Sequence, residues 1–270
     1  MRTLALTVAY DGTDWAGFQR QAARPSIQGA LETALSAALQ HPVAVLGAGR
    51  TDAGVHALGQ VVSLCTANPL PLERVARVVN RWLPPSIRVR RAWECPSGFH
   101  ARLDARYRRY WYVVQMARRP DPLRGRFSWQ VDRPLNVAAM RVALQPLVGR
   151  HDFQAFCQEG PPPGESAVRT VQRARVHRWR DAVIIEVQAD AFLRRMVRLL
   201  VANVVQVGWG DRPVNWLGAL LQGRNRHPSG MAAPSTGLIL MRVGYAWNGQ
   251  VPEAGQRGVR TDEELSGEIA

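Results

Sequence analysis

The order of the predicted secondary-structure elements limits the possible folds of this chain more than any single motif. Apolar periodicity over the first half predicts strand, helix, strand, strand, helix and strand, the split β-α-β order of a ferredoxin-like unit. The second half predicts the same order again, although the two halves share no obvious sequence repeat. We therefore predict an α+β fold of two ferredoxin-like subdomains, residues 1–105 and 106–248, side by side with a basic cleft between them.

The same patterns give approximate bounds for the elements. Ser26 is the predicted N-cap of the first helix, and the second runs from Pro71 to Trp82 before Pro84 ends it. The predicted strands cover residues 3–10, 43–46, 61–64, 87–93, 107–115, 169–179, 183–189 and 238–243. The predicted helices of the second half cover residues 136–147, 193–207 and 214–221. Residues 161–164 and 224–234 are predicted mobile loops, and residues 249–270 a disordered acidic tail.

A glycine-rich decapeptide, residues 47–56, connects the predicted strands at 43–46 and 61–64. Its three glycines permit positive φ angles and the close approach of a backbone or a ligand. Arg50 and Asp52 place one guanidinium and one carboxylate within this pliable segment. From chemistry alone, a glycine-rich loop with an incidental ion pair explains the segment as well as a functional loop does.

The charge of the chain indicates a polyanionic partner. Arginine supplies all 35 of the lysine and arginine residues, and the formal net charge is +14. Residues 249–270 hold two arginines against five carboxylates, so residues 1–248 carry a net charge of +17. A body this basic is typical of proteins that bind nucleic acid, and tRNA is the leading candidate. The lack of lysine excludes lysine-based catalysis, so phosphate contacts must come from guanidinium groups.

The sequence predicts neither a metal nor another cofactor. The three cysteines stand far apart, and the six histidines lack the spacing of metal ligands. No glycine fingerprint of a nucleotide-binding site is present. No apolar run is long enough to cross a bilayer, and the N-terminus has no signal-peptide pattern, so we expect a cytoplasmic protein without a membrane partner.

Residues 49–56, Gly-Arg-Thr-Asp-Ala-Gly-Val-His, resemble the catalytic loop of the tRNA pseudouridine synthases of the A type. The resemblance continues in order over about residues 3–245, at segments 10–12, 17–21, 99–102, 110–112, 149–153, 168–171, 192–198 and 237–240. Three places depart from the family pattern. Phe18 replaces a tryptophan, Leu103 and Asp104 replace Phe-Ser, and Leu199 replaces a common asparagine, whose hydrogen bond is therefore absent.

The resemblance implies the pseudouridine synthase fold and three catalytic residues. Asp52 is the catalytic carboxylate, acting either at the uracil base or at the sugar. It must stay ionised in an enclosed site, so it needs a nearby cation, and Arg198 on an apolar helix is the candidate. Surface positions fit Arg194 and Arg195 better. Tyr110 is expected to stack on the flipped uracil and to take the proton from C5, with packing in the core as the alternative.

The resemblance also implies a set of residues that bind RNA. Arg50 is expected to help extract the target nucleotide and to hold a phosphate, although a structural role in the loop is the alternative. Gln19 and Arg20 belong to a predicted RNA-facing loop, and Leu238 is expected to wall the pocket. His56 is included as a candidate RNA contact, against the alternative that it packs in the loop or the core.

The resemblance also implies a homodimer that converts uridine to pseudouridine at positions 38, 39 and/or 40 of the tRNA anticodon arm. The reaction is an isomerisation that needs no cofactor. Two alternatives remain open at this point. One is a synthase of the same fold that modifies another RNA site, and the other is a non-catalytic RNA-binding protein.

Overall fold

The computed structural model describes residues 1–160, 164–223 and 230–246. The predicted acidic tail, residues 249–270, lies outside the described residues, as do most of the predicted loops at 161–164 and 224–234. None of the described helices is long and apolar enough to cross a membrane.

The first half forms a ferredoxin-like unit. Its elements are β1 (Arg2–Tyr10), α1 (Ile27–Leu39), β2 (Leu46–Gly47), β3 (His56–Thr66), α2 (Leu72–Val79) and β4 (Ile87–Cys95). The strands lie in the order β4-β1-β3-β2, and every neighbouring pair is antiparallel. The Ser26 hydroxyl accepts a hydrogen bond from Gly29 N at 3.3 Å, so the predicted N-cap of α1 is confirmed.

The second half repeats the arrangement with additions. Its elements are β5 (Ala105–Met116), α3 (Pro122–Gly125), β6 (Trp129–Val131), α4 (Val137–Leu144), β7 (Gly149–Asp152), β8 (Val168–Trp179), β9 (Ala182–Ala189), α5 (Met196–Trp209), α6 (Trp216–Leu221) and β10 (Leu238–Tyr245). The order β10-β5-β9-β8 matches that of the first half, with β7 added beside β8 and β6 paired to β5. The prediction of an α+β fold with repeated split β-α-β order is confirmed.

The two halves share one sheet. β10 of the second half pairs in parallel with β3 of the first, through Ile239 opposite His56 and Leu240 opposite Ala57. His56 is both the last residue of the glycine-rich decapeptide and the first residue of β3, and Ala57 follows it. The loop is therefore held at the seam where the halves meet, against β10, β5 and the start of α5.

Two predictions of local structure were wrong, and each has a visible cause. Residues 43–45 of the predicted strand at 43–46 are not in a strand, because Val43 N donates to Ser36 Oγ at 2.9 Å and Val45 N donates to Glu32 Oε1 at 3.1 Å. Side chains of α1 thus take the backbone donors that a strand would use, and only β2 remains. The predicted helix to Trp82 ends at Val79, and the Trp82 side chain is 60% exposed rather than buried.

Asn80 explains the early end of α2. Its side-chain amide donates to Val89 O and its carbonyl accepts from Val89 N, both at 2.8 Å. These bonds tie the residue after the helix to β4, and the chain leaves the helical path before Trp82. The side chain of Leu83 is buried instead.

Candidate active site

The loop around Asp52 is anchored by its neighbour Thr51, which is buried. The Thr51 hydroxyl is 2.9 Å from the Tyr10 hydroxyl, and the Thr51 carbonyl accepts from Phe18 N at 3.0 Å. Val55 N donates to the Asp52 carbonyl at 3.2 Å and closes a turn. With Thr51 fixed inward, the Asp52 side chain points out of the loop and is 34% exposed.

Close backbone packing explains why glycines surround this loop. A Cβ on Gly12 would lie 2.0 Å from Val55 O, and a Cβ on Gly17, where φ is +102°, would lie 2.7 Å from Thr51 O. Both contacts are to backbone atoms, which cannot move without displacing the Asp52 loop. Gly49, by contrast, has nothing within 4 Å of the position of a Cβ.

Gly12→Ala should therefore lower the free energy of unfolding by about 1–3 kcal/mol, because the added methyl overlaps Val55 O and pushes the segment after β1 away from the Asp52 loop. Urea unfolding of the purified variant measures this loss. Gly49→Ala is the matched control, and its stability should stay within about 0.5 kcal/mol of the parent. Equal effects of the two substitutions would contradict the packing argument.

Two guanidinium groups of the second half approach the carboxylate of Asp52. Arg198 Nη1 lies 3.1 Å from Asp52 Oδ2, and the Arg198 side chain is only 14% exposed. Arg198 Nε donates to Ala233 O at 2.7 Å, and Ala233 N donates to Arg198 O at 3.1 Å. The predicted partner of Asp52 is thus held by two bonds to the segment that leads into β10, so its charge is both buried and oriented.

Arg195 is the second cation; its side chain is one-third exposed, as a surface position predicts, but its approach to Asp52 was not predicted. Its Nε lies 4.0 Å from Asp52 Oδ2, and its Nη1 donates to Gln158 Oε1. Arg194, in contrast, pairs with Glu159, and both are exposed. Arg195 has a φ of +58° at the N-cap of α5, a conformation that is rare for non-glycine residues and collects at functional sites.

Tyr110 lies on the buried face of β5 and is 7% exposed. Its ring packs edge to face against the ring of Phe192, with 5.2 Å between the centroids. Phe192 was not predicted as a site residue. Burial raises the pKa of Tyr110 above its ordinary value, Tyr10 and the Asp52 carboxylate raise it further, and the Arg108 guanidinium opposes the rise only in part. The phenol is therefore neutral.

Tyr112, two residues along the same strand, is fully buried and has a structural partner. Its hydroxyl donates to Pro234 O at 2.8 Å. Leu238 pairs with Tyr112 across the sheet and is also buried. These contacts hold the start of β10 against β5, next to Ala233, whose backbone is hydrogen-bonded to Arg198.

The candidate RNA-binding residues fall into two groups. Arg50, Gln19 and Arg20 are exposed, and the last two line an open groove over the start of α1, where Arg20 pairs with the buried Glu32. His56 is 3% exposed and packs against the ring of Phe127 at 5.0 Å. The structure therefore does not bring His56 to the surface as an RNA contact, and the alternative of packing in the core fits it.

The hydrogen bonding of His56 explains its position. Its Nδ1 accepts a hydrogen bond from Gly12 N at 3.1 Å, so Nδ1 carries no proton. Burial lowers the pKa of His56, and the nearby Asp11 carboxylate opposes this only in part. Although His56 Nδ1 lies 3.2 Å from Asp11 Oδ1, the two groups therefore do not form an ion pair. Neutral His56 instead stabilises the segment after β1 by accepting the hydrogen bond from Gly12 N.

Within the residues that the structure describes, no three histidine, cysteine, aspartate or glutamate side chains stand together as ligands of a metal ion would. The chemistry available at the site is that of one carboxylate, two guanidinium groups and one phenol.

Comparison with known proteins gives a consistent result. The family model described as tRNA pseudouridine synthase matches residues 6–104 and 143–246. A tRNA pseudouridine synthase A of Syntrophotalea carbinolica is 42% identical over 91% of this chain and 97% of its own length. The one of Roseiflexus castenholzii is 44% identical over 92% and 93%, and the one of Myxococcus xanthus is 41% identical over 98% of both chains.

Proposed function

Because the chain belongs to the tRNA pseudouridine synthase family, we propose that it converts uridine to pseudouridine in the anticodon stem-loop of tRNA, at positions 38, 39 and/or 40. The observation that carries this proposal is the position of Asp52. Its carboxylate stands at the seam of the two halves, with Arg198 at 3.1 Å and Arg195 at 4.0 Å. An RNA-binding protein without catalysis would have no need of this arrangement.

The reaction breaks the N1–C1′ bond, turns the uracil and forms a C5–C1′ bond. C5 loses a proton and N1 gains one, so no co-reactant is consumed. Asp52 supplies the carboxylate, at the base or at the sugar, once the nucleotide has left the stack. Arg198, and Arg195 more weakly, stabilise the negative charge of that carboxylate in a partly desolvated site.

Tyr110 has two roles in this proposal. Its ring holds the uracil by stacking, and its oxygen receives the proton from C5. Because the phenol is neutral at rest, it accepts the C5 proton only as its own hydroxyl proton passes on, directly or through water, to N1 of the uracil. The transfer is thus a relay that is balanced by the proton gained at N1.

Guanidinium groups account for tRNA binding. Arg50 stands two residues from Asp52 and is exposed, so it fits a role in holding a phosphate beside the flipped nucleotide. Gln19 and Arg20 extend the contact over the groove at α1, and Leu238 walls the pocket. The net charge of +17 on residues 1–248 provides the long-range attraction.

The affinity for tRNA should fall steeply as salt rises, on the order of tenfold or more between about 50 and 200 mM, because arginine–phosphate contacts release counterions. Filter binding or fluorescence anisotropy across that range gives the slope of log affinity against log salt. Arg50→Gln should reduce this slope by about one. Arg133→Gln is the control, because Asp211 already neutralises Arg133 at 2.9 Å. A flat dependence would exclude phosphate-dominated recognition.

We propose further that the active unit is a cytoplasmic homodimer in which one tRNA contacts both subunits, as the family resemblance implies. Residues 1–105 and 106–248 are proposed as its two subdomains, each built on one split β-α-β set. Sedimentation equilibrium with and without tRNA tests the dimer. A monomer at all concentrations that retains full activity would rule it out.

Mapping of the modified positions tests the proposed function itself. tRNA transcripts with a single uridine at position 38, 39 or 40 are incubated with the protein, and pseudouridine is located by chemical modification and primer extension. We expect modification in the anticodon arm only. Pseudouridine elsewhere would favour a synthase for another RNA site, and binding without any pseudouridine would favour a non-catalytic RNA-binding protein.

A further inference from the structure

Arg108 is a buried arginine that the proposed chemistry does not use. It lies in β5 two residues before Tyr110, and it is 8% exposed. Its guanidinium donates only to backbone carbonyls in the contacts that the structure describes. These are Ala48 O at 2.8 and 3.2 Å, Arg102 O at 2.7 Å, Asp190 O at 2.7 Å and Ala105 O at 3.2 Å.

Two of the four carbonyls belong to segments that carry the chemistry of the site, and the other two lie where the first half joins the second. Ala48 lies in the glycine-rich loop, four residues before Asp52. Asp190 directly follows β9 and lies in the segment that leads to Arg195 and Arg198 at the start of α5. Arg102 lies just before β5, and Ala105 is the first residue of that strand. One guanidinium therefore touches the carboxylate loop, the cation segment and the junction of the two halves at the same time.

The geometry of Arg108 requires a guanidinium. Nε and Nη2 both donate to Ala48 O, while Nη1 and Nη2 reach away to Asp190 and Arg102. A lysine ammonium keeps the charge but cannot span acceptors on opposite sides, because its donors radiate from one atom. Burial lowers the pKa of Arg108, because the charged guanidinium is less stable away from water. The dipoles of the four carbonyls offset this cost.

We propose that Arg108 is a positioning residue that sets the Asp52 carboxylate against Arg195 and Arg198, acting through the carbonyls of Ala48 and Asp190. The proposal rests on the proposed function for its effect on turnover. Its structural part stands alone, since the contacts join the two segments whatever reaction they perform. A shift of the carboxylate by about 1 Å is enough to cost on the order of 100-fold in rate.

The test compares Arg108→Lys and Arg108→Met with Arg109→Met, in the full-length protein. Arg109 is the matched control, because it is the next residue in β5, faces the other side of the sheet and donates to Gln188 Oε1 at 2.9 Å. The first readout is single-turnover pseudouridine formation with tRNA at saturation, beside the dissociation constant for tRNA. We expect both Arg108 variants to lose about 100-fold in rate, with the dissociation constant within about threefold of the parent.

Hydrogen exchange provides a readout that does not depend on activity. Peptides covering residues 47–55 and 190–197 should both lose protection in Arg108→Lys, while the β8–β9 hairpin should not change. Arg109→Met should change neither peptide. If the parent protein forms no pseudouridine, the exchange experiment still decides whether Arg108 couples the two segments.

Chemical rescue separates positioning from general stability. Added methylguanidine should restore part of the turnover and of the exchange protection in Arg108→Gly, because it can refill the same donor position. Normal rate and normal protection in Arg108→Lys would overturn the proposal. So would a loss confined to tRNA affinity, which would make Arg108 an RNA-binding residue instead.

Discussion

Asp52→Asn should abolish pseudouridine formation, by on the order of 10⁴-fold or more, while the fold and the affinity for tRNA remain nearly unchanged. An amide has almost the shape of a carboxylate but lacks its charge and its nucleophilic or basic oxygen. Thr51 anchors the loop through Tyr10 and Phe18, and neither contact involves the Asp52 side chain. Single-turnover formation of pseudouridine and the dissociation constant for tRNA are the two measurements.

Asp211→Asn is the control for this experiment. Asp211 is an exposed carboxylate paired with a single arginine, Arg133, and it follows the end of α5 rather than its start. Its substitution should leave turnover unchanged. Appreciable residual pseudouridine from Asp52→Asn would remove Asp52 from the catalytic role and would leave the Arg198 contact as a structural ion pair.

Tyr110→Phe should lose most turnover yet keep the affinity for tRNA, because the ring still stacks on uracil but cannot exchange a proton. Tyr110→Leu loses both ring and hydroxyl and should be no more active. The same single-turnover and binding measurements apply. Near-normal turnover in Tyr110→Phe would exclude the proton relay and leave Tyr110 as a packing residue against Phe192.

Tyr112→Phe is the internal control for Tyr110. The substitution removes the hydrogen bond to Pro234 O and should cost about 1 kcal/mol of stability. Turnover should fall far less than in Tyr110→Phe, since the Tyr112 hydroxyl bonds to backbone. The comparison of the two variants distinguishes the general effect of losing a buried tyrosine hydroxyl from the specific loss of the proton acceptor.

The repeated strand and helix order could be predicted from the sequence because apolar periodicity reports which face of each element is buried. The union of the halves into one sheet could not. It depends on a parallel pairing of two residues on each strand, between β10 and β3, which leaves no periodic pattern. The error at residues 43–45 has a related origin, since Ser36 and Glu32 of α1 take the backbone donors of Val43 and Val45.

The residues of the site likewise fall into those that a local sequence pattern could locate and those that only the fold brings together. The family pattern located Asp52 and, chiefly, its partner Arg198; the cost of burying an unpaired arginine supported the pairing, and the contact is present. Arg195 could not be found from helical spacing, because it is the N-cap of α5 in a left-handed conformation, and only the fold turns its side chain toward Asp52. Arg108 could not be found, because its partners are backbone carbonyls that only the fold brings together.

Tritium release from C5-labelled uridine in tRNA measures the proposed reaction most directly, because every pseudouridine formed replaces the hydrogen at C5. The parent protein should release tritium in an amount equal to the pseudouridine found at positions 38 to 40, and Asp52→Asn should release none. A parent protein that binds the labelled tRNA tightly at low salt but releases no tritium in a single turnover would contradict the assignment.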